Sequence, residues 1–317
     1  MRKQQNFTQP SITTTYAGEF AGKYIAAALL SAKTLDNQYI TIMPNVKFKA
    51  VIQKVAVDSI VNDASCNFTT SGTVALSERI LEPKELQVNL ELCKQEFVDS
   101  WEALQLGYSA FDEIPKDFND FLISYVGGKV AQATEESIWR GNGSLNGQFG
   151  GIYTALSSSV VAGGSNAPVT SSVSGSITSA NVLTALNALV DAIPAEVYGK
   201  EDLMIYVPTN VVKAYQQALA GGAQGANGWN NQMNVGEKPL NFNGIELAFC
   251  PGLPASAMVA AQKSNLFFGT GLLSDHNEVR VLDMANLDGS QNYRIIMRYT
   301  AGTQYGIGND IAIHKNY

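Results

Sequence analysis

Cysteine and histidine are scarce in this chain, and their scarcity excludes several kinds of site. The three cysteines lie far apart, at Cys66, Cys93 and Cys250, so they form neither a Cys-x-x-Cys pair nor an even-numbered disulfide framework. The only histidines are His276 and His314. Cysteine-rich zinc sites, and metal or acid–base centres that need several histidines, therefore cannot be built from this sequence.

Charged side chains are also few. They make up 15% of the 317 residues, whereas soluble proteins typically contain about 25%. Ser, Thr, Asn, Gln and Gly take their place, and a surface with so few charges suits a protein that other subunits cover. The hydrophobic fraction of 45% is ordinary, which excludes disorder over the whole chain.

The charges that are present are unevenly distributed. Residues 1–54 contain seven basic and two acidic residues, and the remainder contains 14 basic and 26 acidic residues. Proteins that read DNA sequence carry a concentrated basic face, so this acidic body is not expected to bind nucleic acid tightly. The basic N-terminal stretch could contact nucleic acid, contact an acidic neighbouring subunit, or form a solvated arm.

No long apolar run is present. Arg2 and Lys3 are followed by polar residues where a secretory signal needs an apolar segment. The longest early apolar run, residues 24–30, is far shorter than the roughly 20 residues that cross a bilayer. We therefore expect a soluble protein that is made in a cytoplasm and does not contact a membrane.

The hydrophobic patterns predict an α+β fold with two extensions. Residues 1–16 are typical of an extended arm, and residues 17–33 predict a short helix with a narrow apolar stripe. Residues 45–92 predict a long hairpin-like excursion, because apolar and polar side chains alternate there. An isolated two-stranded ribbon is at best marginally stable, so both extensions need cover from elsewhere.

The rest of the chain mixes helices and strands without a βαβ order. A long amphipathic helix is predicted at 115–140, opened by Pro115, and a second helix at 177–193. Residues 157–180 predict a flexible loop, and residues 220–237 predict a long glycine-rich loop. A buried strand is predicted at 203–207, and strand patterns dominate after residue 240.

No catalytic motif is complete. Gly141-Asn142-Gly143 follows a helix rather than a strand and lacks the third glycine of a dinucleotide site. Asp275-His276 could belong to a hydrolase, but no Gly-x-Ser-x-Gly nucleophile motif accompanies it. The other reactive side chains have structural interpretations: a solvated helix face for Glu135 and Glu136, a surface position for His314, and a buried small side chain for Cys93. The sequence therefore predicts neither an enzyme nor a cofactor.

Short motifs nevertheless follow one another in a recognisable order. The helix 115–140 ends in Glu136-Ser137-Ile138-Trp139-Arg140-Gly141-Asn142-Gly143, and Gly150-Gly151-Ile152 follows. Next come Ile193-Pro194, a strand-to-helix unit at 203–210, Phe242-Asn243-Gly244-Ile245 and Asn265-Leu266-Phe267-Phe268-Gly269. With the arm and the extended loop, this order resembles the major capsid proteins of tailed bacteriophages, whose Hong-Kong-97-type fold is also seen in encapsulins. The resemblance covers nearly the whole chain.

The resemblance implies a Hong-Kong-97-type α+β fold with four parts. These are an N-terminal arm (1–36), an extended two-stranded loop (37–85), a peripheral domain (86–150 and 272–300) with a spine helix at 115–140, and an axial domain (151–271 and 301–317). It implies hexamers and pentamers that close into an icosahedral shell around double-stranded DNA. Only some sixteen residues precede the arm helix, so a separate scaffolding protein, or none, is expected.

Partners and location follow from the same resemblance. Portal, scaffolding or decoration proteins of the virion are expected partners, and packaged double-stranded DNA is expected to be contacted weakly and non-specifically. The chain would be assembled in the cytoplasm of a host bacterium and reside in the virion. Its assembly-interface residues are expected to be Phe20, Tyr24, Lys47, Phe48, Lys49, Lys54, Phe68 and Trp229. Ordinary intrachain core positions remain the alternative for these anchors, above all for Phe48 and Tyr24.

Three other functions compete with a phage capsid. An encapsulin-type compartment shares the fold, so the sequence separates the two poorly. A secreted adhesion or carbohydrate-binding protein is opposed by the missing signal and the missing disulfides. A hydrolase that uses Asp275 and His276 would require an activity that His276 supports.

Overall fold

The chain forms five α-helices and thirteen β-strands in the part that a computed structural model describes. The described residues are 32–46, 48–58, 63, 73–93, 116–164, 166–171, 173, 175–220, 240–271, 280–284, 289–290 and 292–315. For residues 54–58, 73–77, 116–124, 220, 280, 281 and 283, the backbone alone is described.

The longest helix lies where the amphipathic pattern predicts it. The helices are α1 (Lys33–Asp36), α2 (Lys116–Arg140), α3 (Ile152–Ala162), α4 (Val182–Asp191) and α5 (Thr209–Ala220). Helix α2 ends at Arg140, and the next residue is Gly141, where any side chain would collide with the backbone of Phe149. The following loop folds back, and the Gly151 amide donates to the Gly141 carbonyl over 2.9 Å. Lys84 supports this loop, since its Nζ donates to three of its backbone carbonyls.

One sheet has five strands, built around a 14-residue strand. Its members are β1 (Thr41–Met43), β4 (Lys84–Cys93), β10 (Leu266–Thr270), β11 (Arg280–Asp283) and β12 (Asn292–Tyr305). The order is β1-β10-β12-β11, and β4 also pairs with β12, antiparallel and over its whole length. The predicted boundary between residues 300 and 301 falls inside β12, which is continuous.

A second sheet has six strands and is buried on both faces. In spatial order its strands are β5 (Val169–Ser171), β13 (Ala312–His314), β9 (Met258–Gln262), β6 (Leu203–Val207), β8 (Ile245–Phe249) and β7 (Asn241–Phe242). On one face, Ile205 and Val207 pack with helices α4 and α5. On the other face, Tyr206 packs against Trp139 of α2 with ring centroids 5.1 Å apart. Burial on both faces explains why residues 203–207 form a continuous apolar run.

A two-stranded ribbon projects from this body. It consists of β2 (Ala50–Asp58) and β3 (Thr73–Leu81), which pair antiparallel from Ala50 opposite Leu81 to Asp58 opposite Thr73. The predicted excursion over 45–92 is therefore too long at its C-terminal end. Residues 84–93 belong to the five-stranded sheet, because β4 pairs with β12 and buries Leu86 in the main core.

The predicted loop at 157–180 is wrong at two places. Helix α3 continues to Ala162, anchored by the buried Leu156, although its middle is serine-rich. The Ser158 hydroxyl donates to the Thr154 carbonyl one turn earlier, so this serine does not compete with the helix. Residues 169–171 form strand β5 beside β13.

The second helix is shorter than predicted. It spans Val182–Asp191 rather than 177–193, because the preceding residues form a turn that the Asn181 side chain holds. In that turn the Thr178 amide donates to Oδ1 of Asn181 over 2.7 Å, and the Asn181 side-chain amide donates to the Ser176 carbonyl. Cys93, predicted to be buried, is half-buried at the end of strand β4.

Candidate assembly surface

The ribbon carries large apolar side chains that the single chain leaves exposed. Val51 and Ile80 lie directly opposite each other on the two strands and are 52% and 45% exposed. Phe48, just before β2, is 73% exposed. Directly opposed side chains share one face of a strand pair, so Val51 and Ile80 form one small apolar patch. Together with the exposed Phe48 ring near the start of β2, this patch marks a candidate interaction surface.

Lys49 lies next to this patch and is partnered within the chain. Its Nζ is 3.2 Å from a carboxylate oxygen of Glu82 and 5.3 Å from the centre of the Phe48 ring. Both side chains of the ion pair are largely exposed, so the pair contributes little to stability. Its geometric effect is to link the beginning of β2 to the residue that follows β3.

The root of the ribbon is held by the body at several points. The amides of Asn45 and Val46 donate to the carbonyls of Gly271 and Thr270 at the end of β10. On the other strand, the Gln304 side-chain amide donates to the Ile80 carbonyl over 2.9 Å. The guanidinium carbon of Arg79 lies 3.8 Å from the centre of the Tyr305 ring, and Leu81 is fully buried. The ribbon is therefore exposed along its face but fixed at its base.

A second attachment holds the segment that follows the predicted arm. Thr34 of α1 is buried, and its amide and hydroxyl donate to the two carboxylate oxygens of Glu135 over 3.0 and 2.6 Å. The indole Nε1 of Trp139 donates to the same hydroxyl over 2.9 Å. Three side chains thus tie α1 to the spine helix α2, across more than a hundred residues of sequence.

Glu135 corrects the expectation of a solvated helix face. Its side chain is fully buried, while Glu136 beside it is partly exposed and pairs with Arg140 over 3.3 Å. Burial raises the pKa of Glu135 above its usual value, and hydrogen bonds from Thr34 and from the Gly252 backbone oppose that rise. A carboxyl in this position acts as a structural acceptor at the centre of the attachment.

The predicted assembly residues fall into three groups. Phe48 and Lys49 are described and lie together at the base of the ribbon. Lys54 lies on β2, for which only the backbone is described at that position. Phe20, Tyr24, Lys47, Phe68 and Trp229 lie outside the described residues. The side-chain contacts of those last six residues therefore stay predictions.

Sequence reasoning missed Val51 and Ile80, the exposed pair on the ribbon. Both residues share a strand face with the polar Gln53 and Glu78, two residues along each strand, so their surroundings in the sequence are not a clean alternation of apolar and polar side chains. What the alternation could not show is which residue of β3 lies opposite Val51, since the register depends on the whole ribbon.

The reactive side chains of the described region do not form an accessible catalytic site. Ser171 Oγ lies 3.2 Å from His314 Nδ1, a pairing that nucleophilic enzymes use. Both residues are buried, and His314 is fully so, which corrects its predicted surface position. The reason is that strand β13 is covered by β5 on one edge and β9 on the other. Asp275 and His276 lie outside the described residues.

Neither a metal-binding cluster nor a membrane-spanning helix is found among the described residues. No group of three His, Cys, Asp or Glu side chains is placed to hold a metal ion in that part of the chain. Of the helices that are described, none is both long and apolar enough to cross a membrane.

Comparisons with known proteins identify the fold. No family model and no curated protein matches the sequence. Among solved structures, the capsid of a native GTA particle matches with a TM-score of 0.65 and 16% identity over 93% of both chains. A structure of Mycobacterium phage Adephagia matches with a TM-score of 0.60 and 12% identity over 99% of both chains.

A third structure agrees with these two. The capsid of Myoviridae phage XM1 matches with a TM-score of 0.56 and 11% identity, over 92% of this chain and 94% of that chain. At such low identities the likeness concerns the fold, and it extends over almost the whole of each chain. The predicted α+β capsid fold is therefore confirmed: the chain has the fold of tailed-phage capsid proteins.

Proposed function

We propose that this chain is the major capsid protein of a tailed bacteriophage. In this proposal, copies of the chain associate into hexamers and pentamers that close into an icosahedral shell around double-stranded DNA. The observation that carries the proposal is the projecting ribbon, which exposes Phe48, Val51 and Ile80 on a body with a capsid fold.

Burial arithmetic supports a second copy as the partner of the ribbon. Covering a large apolar side chain that is about half exposed removes several tens of Å² from water, which is worth roughly 1 kcal/mol at about 25 cal/mol per Å². Three such side chains give a modest contact, which is weak for a single pair of molecules. In a closed shell the contact repeats around every subunit, and each subunit is held by several neighbours at high effective concentration. Weak heterologous contacts of this kind close rings and shells.

The charge distribution supports weak DNA contact. The body beyond residue 54 has an excess of twelve acidic residues, so the interior of a shell would repel phosphates rather than hold them. The basic residues concentrated in 1–54 would contact an acidic neighbour or DNA. DNA entering such a shell would remain mobile, as filling requires.

Further parts of the proposal rest on the resemblance to capsid proteins. The division into arm, extended loop, peripheral domain and axial domain is proposed with the bounds given above. The interface residues proposed are Phe20, Tyr24, Lys47, Phe48, Lys49, Lys54, Phe68 and Trp229. Portal, scaffolding or decoration proteins are proposed as partners, and the virion, assembled in the host cytoplasm, as the location.

Assembly of the purified protein tests the proposal. Negative-stain microscopy and sedimentation velocity of the full chain should show capsomer rings or uniform hollow shells. The variant Phe48→Ser should lower the assembled fraction at least tenfold at equal concentration. Val161→Ser is the matched control, because Val161 is 77% exposed but belongs to helix α3 rather than to the ribbon. A wild-type protein that stays monomeric at micromolar concentration would refute the proposal.

A further inference from the structure

The ribbon leaves the body over a pair of glycines. Gly269 of β10 and Gly302 of β12 are direct partners in the five-stranded sheet. A Cβ atom on Gly302 would lie 2.9 Å from the Glu82 carbonyl oxygen and 2.9 Å from Cα of Pro83. Glu82 and Pro83 are the two residues that connect β3 to β4. The backbone that turns from the ribbon into the sheet therefore lies directly on Gly302, closer than any side chain would permit.

Gly269 receives the last residue of the ribbon. A Cβ atom there would lie 2.7 Å from Cδ2 of Leu81 and 3.1 Å from its Cγ. Leu81 is fully buried, so its side chain is held on the bare surface that Gly269 leaves. The two glycines thus form a flat seat for three consecutive residues, 81–83.

Beyond this seat, the ribbon and the body separate. Ile52, Gln53, Glu78 and Arg79 of the ribbon line one side of a cleft of about 360 Å³. The opposite side is formed by the body, including Asn265 and Gly306. The direction of the ribbon therefore depends on its root, where the Arg79 guanidinium on the Tyr305 ring and the Gln304 hydrogen bond to the Ile80 carbonyl also lie.

We propose that Gly269 and Gly302 are positioning residues that set the angle at which the ribbon leaves the body. A nine-residue strand is about 30 Å long at roughly 3.3 Å per residue, so a tilt of about 10° at the root would move its far end by on the order of 5 Å. If the proposed capsid function holds, this angle also sets the spacing and tilt of neighbouring subunits. The glycine seat then determines the curvature of the shell.

Spin-label distances test the angle in the purified protein, whether or not it assembles. Labels on Asp63→Cys, between the two ribbon strands, and Ser158→Cys, on α3, report the ribbon relative to the body, with both positions exposed. Cys66 and Cys93 are replaced by Ser, while Cys250 is buried. Labelled protein is diluted into unlabelled protein so that distances within one chain are measured. We expect Gly302→Ala to shift the mean distance by several ångströms.

The control is Gly164→Ala, because Gly164 has open space around its Cβ position and no left-handed φ. It should leave the distance unchanged. Gly269→Ala should shift the distance as well, and adding Leu81→Ala should reverse that shift by removing the side chain that collides. Gly269→Ala also serves if Gly302→Ala fails to fold, because its added methyl group meets the Leu81 side chain rather than backbone. Unchanged distances in a folded Gly302→Ala or Gly269→Ala protein would overturn the proposal.

The consequence for assembly has a separate readout. Folded Gly302→Ala protein should form particles of altered diameter or open sheets, while Gly164→Ala forms wild-type particles. A shifted ribbon combined with particles of wild-type diameter would overturn the role in shell curvature. Failure of the wild-type chain to assemble would instead refute the proposed function, and the label distances would still decide whether the glycines set the angle.

Discussion

Removing one buried hydroxyl should loosen the attachment between α1 and the spine helix. In Thr34→Val the side chain keeps its shape but loses the oxygen that donates to Glu135 and accepts from Trp139. All three residues are fully buried, so water cannot replace the lost partner. An unpaired buried indole N–H costs about 1–3 kcal/mol, and a hydrogen bond to a carboxyl contributes a similar amount. We expect Thr34→Val to lower the free energy of unfolding by about 3 kcal/mol.

Thr34→Ser separates this effect from the loss of packing. Serine keeps the hydroxyl and loses one methyl group, which should cost only about 1 kcal/mol. Equilibrium urea unfolding of the unassembled protein measures the free energy of unfolding of both variants. The two values are compared where the slope of that free energy against urea concentration is the same. If Thr34→Val is no less stable than Thr34→Ser, the hydrogen bonds at Glu135 do not hold the α1 segment, and the reasoning is refuted.

Two pH dependences follow from the buried titratable groups. Burial raises the pKa of Glu135, so its contribution to stability is complete below the pKa of an unfolded glutamate and is lost as the pH rises through the folded value. Glu135→Gln should therefore gain stability relative to wild type as the pH rises, by at most about 1.4 kcal/mol per pH unit. Urea unfolding at several pH values measures this difference, and a difference that is constant with pH would contradict the prediction. Burial lowers the pKa of His314, so its contribution is present above the unfolded value and is lost as the pH falls through the folded one. The wild-type protein should lose more stability than His314→Gln between pH 7 and pH 5, and equal losses would show that His314 is not responsible.

Local patterns predicted those elements whose apolar spacing is complete within a short stretch of sequence. Helix α2 was located because its apolar residues recur at helical spacing after Pro115. Strand β6 was located because a sheet covered on both faces needs a continuous apolar run. Helix α3 was missed because Ser157, Ser158 and Ser159 weaken the helical pattern, and its anchor Leu156 is visible only in the packed core.

The environments of the buried polar side chains depend on contacts between distant parts of the chain. In the sequence Glu135 and Glu136 are equivalent neighbouring carboxylates. The structure distinguishes them, because Thr34, 101 residues earlier, donates a hydrogen bond to Glu135. The sequence predicts a surface position for His314. The structure buries it in strand β13, which pairs with β5 on one side and β9 on the other. Short-range patterns carry no information on such partners, because their register is decided by the whole fold.

The two extensions are attached to the body in physically different ways. The α1 segment is held by buried hydrogen bonds to Glu135 and Trp139, which are directional and lose their energy when the geometry changes. The ribbon is held by hydrogen bonds of Asn45, Val46 and Gln304 at its root, and also by the close packing of Leu81 and the following backbone on Gly269 and Gly302, which depends on shape. On this reasoning a small change in hydrogen-bond geometry loosens the α1 segment, whereas a methyl group added at either glycine moves the base of the ribbon.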